Sequence, residues 1–223
     1  MSDQLVVLLH LCDSLFPIGS FAHSDGLETA TASGVIQQPA DLASWMETVV
    51  DVTLAQCDGP AVREAWSAFR EGDVAGLQRL DAELYAMRPA AAAREAGRAM
   101  GSRLLKTWVS IRPDSPLRSV IGDQTSFLLP VAFGIVCAAS EIGDRQAIEA
   151  FMYTRLAAVV SAAMRLMPLG QHDGHALLAR FLARVPDTAL RVLQARQSPQ
   201  SFAPAMDVAA MSQQYTYSRL FRS

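Results

Sequence analysis

Apolar residues recur at three- and four-residue steps along almost the whole chain, and no stretch alternates apolar and polar residues between turn signals. That period matches one face of an α-helix and not the two-residue repeat of a half-buried strand. An all-α fold is therefore expected. At 223 residues, 51% of them hydrophobic and 18% charged, the chain can bury a large core and still form one domain. Leu42, Trp45, Met46, Val49, Val50 and Leu54 make one stripe, with Asp41 in the N-cap position. Val62, Trp66 and Phe69 make another after Pro60, and Asp73 caps a third that carries Val74, Leu77, Leu80, Leu84 and Met87. Aromatic residues at this spacing read as packing.

Residues 89–112 are Ala-rich, and Ala93, Gly97 and Gly101 fall at four-residue intervals, a small-residue ridge that lets another helix approach closely. Pro113 and Pro116 break the chain. A buried helix is expected within 117–142, split at Gly122 or Pro130, then a long one over 144–167 and two short ones divided near Pro186. Residues 198–204 carry two prolines and no period, so they read as a linker. The expected organisation is an all-helical domain over 1–197, with 198–223 forming a linker and a carboxy-terminal docking segment of the same domain.

Residues 13–28 pack a helix stop, a rigid turn and a helix start between two apolar segments. Pro17 cannot continue a helix, Gly19 and Gly26 permit backbone angles that other residues resist, and Asp25 and Glu28 have capping-box spacing. Ser14, His23, Ser24 and Asp25 invite a nucleophile reading. No G-x-S-x-G elbow supports it, and in an all-α chain hydroxyl and imidazole groups at a turn serve helix ends. No catalytic residue is assigned.

The net charge of −3 argues against nucleic acid as a partner. Arg88, Arg94, Arg98, Arg103, Lys106, Arg112 and Arg118 form one locally basic region, read as a solvated helix surface with a partner-facing patch as the alternative. Met1-Ser2-Asp3-Gln4 carries an acid where a secretory signal carries Lys or Arg. The most apolar windows, 127–139 and 156–169, are shorter than the roughly 20 residues that cross a bilayer, and Pro130 or Arg165 interrupts each. Neither export nor a membrane span is expected. Cys12, Cys57 and Cys137 are odd in number and far apart, as in reduced core thiols of a cytoplasmic protein. His172 and His175 could offer two imidazoles from one turn, but a metal site needs more ligands, so none is assigned. No G-x-x-x-x-G-K-[ST] loop occurs, and no cofactor is expected.

Residues 206–223 are rich in interface-type residues for a segment of this kind. As a helix they place Met206, Ala210, Tyr217 and Phe221 on one side, with Tyr215, Arg219 and Arg222 on a neighbouring one. Such a face must be covered, either by the domain itself or by a partner, and the Tyr and Arg enrichment favours the partner.

The run Asp13-Ser14-Leu15-Phe16-Pro17-Ile18-Gly19-Ser20-Phe21-Ala22-His23-Ser24-Asp25-Gly26-Leu27-Glu28 resembles the amino-terminal signature of the UreF family, D-S-x-F-P-x-G-x-F-x-H-S-x-G-L-E. Arg94-Glu95 through Leu105, Pro130 to Gly134, Arg165 to Gln171 and the closing Tyr217-Ser218-Arg219-Leu220-Phe221-Arg222-Ser223 are also similar to family blocks, in family order. The resemblance implies an all-α urease accessory protein that forms dimers, binds the accessory protein called UreD or UreH, and through that complex recruits the GTPase UreG to apo-urease for nickel insertion. It implies partner contacts by the carboxy-terminal segment, with Tyr215, Tyr217, Arg219, Leu220 and Phe221 as candidates. It also implies a structural motif at Pro17, Gly19, Phe21, His23, Ser24, Gly26 and Glu28. Gln213 and Gln214 stand where many members have His-Glu, and His172 and His175 stand where many have Thr and Gln. A non-catalytic scaffold is the leading expectation. The alternatives are a GTPase activator that supplies an arginine in trans, such as Arg98 or Arg219, and a nickel relay through His172 and His175.

Overall fold

The computed structural model describes residues 2–122, 126–215 and 220–221. Those residues form helices and connecting turns, and no strand occurs among them. In chain order the helices are α1 Ser2–Cys12, α2 Leu27–Ala32, α3 Pro39–Thr48, α4 Gly59–Glu71, α5 Val74–Ala86, α6 Ala91–Ile111, α7 Leu117–Ile121, α8 Leu129–Ala139, α9 Asp144–Leu166, α10 Gln171–Leu182, α11 Val185–Ala195 and α12 Pro204–Ser212. The all-α reading holds.

Every residue of α8 is buried, so this helix forms the centre of the core, with α4, α6 and α9 packed around it. Two close approaches explain its position. A Cβ on Gly134 would stand 2.5 Å from the Val62 carbonyl oxygen, so α4 lies against bare backbone there. On the α6 side, Gly97 and Gly101 admit Phe127 and the extended Leu128, which lead into α8. The ridge therefore receives the entry to a helix, where a helix body was expected.

Sequence period and structure part company between α3 and α4. Val49–Asp58 is a π-helix, so 39–71 runs as one continuous helical rod with a widened middle. The expected stripe still faces inward, since Leu42, Met46, Val50 and Leu54 are all buried. Asp41 is not the N-cap of α3. Gln38 holds that position, and Asp41 sits in the first turn, where its Oδ2 accepts the Gln37 and Gln38 backbone N–H groups at 3.0 and 3.1 Å. Those bonds hold its carboxyl below the usual range. Asp73 does cap α5, accepting the Gly76 N–H at 2.8 Å.

Helix α9 runs where the long helix over 144–167 was expected and, at 23 residues, is long and apolar enough by length and composition to cross a bilayer. More than half of its most apolar stretch is instead buried inside the domain, against α4, α8, α10 and α11. Residues 198–204 are also less free than a linker. Pro199 is buried, Gln200 donates its N–H to the Gln56 carbonyl at 2.8 Å, and Arg63 donates to the Val192 and Gln197 carbonyls.

Candidate partner-docking site

The amino-terminal turn is built by its punctuation residues. Pro17 lies exposed just after Phe16, whose ring is buried against His10 and Trp108 at centroid distances of 5.4 and 6.0 Å. Gly19 has φ +80°, a left-handed conformation that a β-carbon resists, and the Ile18 carbonyl beside it accepts from Arg103. The backbone of Phe21 lies in the single 3₁₀ turn Ser20–Ala22. Gly26 has φ +85°, and a Cβ on it would stand 2.9 Å from the Ala210 nitrogen of α12. The turn and the carboxy-terminal helix are therefore in direct contact.

The expected pairing of Asp25 with Glu28 as a capping box does not form. Asp25 adopts φ +51° and pairs with Arg155 of α9. Gly26 is the N-cap of α2 and has no side chain to offer, and the buried Ser24 hydroxyl accepts the Glu28 N–H at 3.4 Å. Glu28 is thereby free for another task. Its carboxylate, 4% exposed, accepts three N–H groups from the far end of the chain: Gln213 Nε2 at 3.1 Å, Leu220 N at 2.5 Å and Phe221 N at 3.2 Å.

The carboxy-terminal residues divide by face. Phe221, expected at a partner surface, is turned inward, 3% exposed and within the core, with the Arg165 guanidinium 4.0 Å from its ring centroid. The desolvated ring and the charged hydrogen bonds to Glu28 hold it there. On α12, Met206 and Ala209 pack against the core, while Val208 and Met211 face outward. Tyr215 and Leu220 are 80% and 68% exposed, and Phe202 is exposed as well. Tyr217 and Arg219 lie outside the described residues.

A second feature adjoins the first. Between α1 and α9 lies a cavity of about 820 Å³ with an apolar floor that includes Leu11, Leu104 and Phe133, and His23, Arg165 and Phe221 line it as well. The outer face of α1 adds exposed Leu5, Val6 and Leu9. Under α12, Arg88 pairs with Asp58 at 2.8 Å, and Asp25, Arg155 and Asp207 line the same small pocket. Burial works against the Arg88 charge, yet Asp58, Cys57 and Asp25 together outweigh it and hold the guanidinium pKa above its ordinary value. Burial also raises the Asp207 carboxyl, with Arg88 opposing.

The chemistry-bearing alternatives are placed as follows. His172 and His175 are both exposed near the start of α10. No group of three or more His, Cys, Asp or Glu residues gathers in metal-ligand geometry among the described residues. Arg98 bonds to Asp81 at 2.6 Å and stacks over Tyr85 at 4.5 Å, so its guanidinium is committed to the domain. Sequence reasoning missed Glu28 as a receptor for the tail. The signal for it was an acid at a helix start with Ser24 close by to accept its backbone N–H.

Fold and site together define an all-α protein whose carboxy-terminal segment is clasped to its amino-terminal turn and presents an apolar outer face. A sequence model of the UreF family matches residues 36–182. Urease accessory protein UreF of Dechloromonas aromatica is 31% identical over 99% of this chain and 98% of its own length. The protein of that name from Azoarcus sp. strain BH72 is 32% identical over 98% and 95%, and that of Rhodopseudomonas palustris strain BisA53 is 35% identical over 93% and 88%. The chain belongs to the UreF family.

Proposed function

We propose that this protein is a non-catalytic urease maturation factor. It forms a dimer in the cytoplasm, binds a UreD/UreH-type accessory protein through its carboxy-terminal segment, and with it recruits a UreG-type GTPase to apo-urease so that nickel can be inserted. Family membership supports the link to urease, since its relatives carry the name urease accessory protein. The observation that carries the docking role is the exposure of the apolar side chains of Val208, Met211, Tyr215 and Leu220 on a segment already anchored to the domain. An anchored segment loses little conformational freedom on binding, and exposed Tyr and Leu suit the core of an interface.

Binding of the UreD/UreH-type protein by Tyr215→Ala and Leu220→Ala variants tests this. Each change should weaken capture by about 1 to 3 kcal/mol while melting stays within about 0.5 kcal/mol of the parent, as for exposed positions. Unchanged capture by the double variant would place the docking surface elsewhere.

A further inference from the structure

We infer that Glu28 is the receptor that positions the carboxy-terminal docking segment, setting Phe221 inward and Leu220 outward. A carboxylate this deeply buried is costly unless donors surround it, and three of its donors come from positions 213, 220 and 221. The consecutive N–H groups of Leu220 and Phe221 go to Oε1 and Oε2 respectively, so one carboxylate grips two adjacent peptide units. Backbone recognition of this kind ignores side-chain identity but fixes orientation. With both amides held, the Phe221 ring lies under Arg165 at the edge of the α1–α9 cavity, and Leu220 is left facing solvent. Gln213 brings a third donor from the end of α12, so the segment is gripped at both ends. Tyr215 lies between the grips and faces outward.

Glu28 is thus a positioning residue: it touches no partner and acts through the face it makes the tail present. The consequence for binding rests on the docking role proposed above, whereas the grip itself does not. Hydrogen exchange separates the two. In Glu28→Ala, the Leu220 and Phe221 amides of the full-length chain should exchange about tenfold faster or more, with the helical circular dichroism retained and UreD/UreH-type capture weakened. Glu28→Gln keeps two acceptor lone pairs but no charge, so it should fall between parent and Ala. Phe221→Ala releases the anchor without touching α2 and should also speed exchange at Leu220. Unchanged exchange at both amides in Glu28→Gln and Phe221→Ala would overturn the receptor, even if Glu28→Ala failed to fold. Faster exchange with intact capture would leave the receptor standing and overturn the docking role.

Discussion

Gly101 faces the carbonyl oxygen of Phe127 so closely that a Cβ there would stand 2.1 Å from it, with the Leu128 carbon and Leu129 nitrogen under 3 Å away. Backbone cannot move aside as a flexible side chain can, so Gly101→Ala must push the entry of α8 off α6. A loss of about 3 kcal/mol or more is expected, at the upper end of overpacking costs. Chemical denaturation measures it. A loss below about 1 kcal/mol would mean that α6 and the entry of α8 slide apart at little cost.

Asp81 of α5 ties three parts of this region together, accepting from Arg98 at 2.6 Å and from the Leu128 N–H at 2.6 Å while only 5% exposed. Asp81→Ala leaves a buried amide and a guanidinium unpaired, at a cost of about 2 to 4 kcal/mol. Arg98→Ala should cost less, because the Leu128 bond survives. Thermal melts of both variants check the order, and an Arg98 variant with unchanged melting but lost GTPase stimulation would reinstate that arginine as a group acting in trans.

Gly19 combines φ +80° with the Arg103 Nη1 atom 2.6 Å from where a Cβ would stand. Since that atom ends a flexible side chain, the backbone strain dominates, and Gly19→Val should lower stability by about 1 to 3 kcal/mol. Unchanged melting with lost partner binding would make the turn a contact surface.

The three thiols respond to alkali. Burial pushes Cys12 up to about 11 and Cys57 up to about 12, the latter helped by Asp58, and burial raises Cys137 well above its ordinary value. All three are free. The folded chain keeps these protons where the unfolded chain releases them, near pH 9, so the stability they support is complete below that pH and is lost as pH rises toward 11 to 12. The slope is roughly 1.4 kcal/mol per pH unit for each thiol. A Cys57→Ala variant should melt with a shallower alkaline decline than the parent between pH 9 and 11; parallel curves would refute the assignment.

Much of the fold was legible because period and punctuation agree. Leu42, Met46, Val50, Leu77, Leu80 and Leu84 were read as core and are buried. Pro130 and Pro186 fall in the first turns of α8 and α11, where a missing N–H costs nothing. The π-helix was not legible, since its wider turn leaves the buried stripe intact and alters only the hydrogen-bond ladder. Gly97 and Gly101 announced a close approach but not what approaches. The tail was half legible: its amphipathic character showed that something must cover it, but the choice of cover depends on Glu28, which lies 192 positions before Leu220 and has no periodic relation to it.

That separation also orders events in folding. Loop-closure entropy grows slowly with length, roughly 0.6 kcal/mol per doubling, so the distance adds little to the final balance, but the contact cannot form before its surroundings do. The receiving surface exists only once α2 lies against α9 and α12 against α2. From that moment the stretch from Gln213 to Leu220 is a short tether, and closing it no longer means searching the volume of an open chain. The grip of Glu28 on positions 213, 220 and 221 therefore closes after the core beneath it has formed, and local opening at these contacts should cost less than unfolding that core.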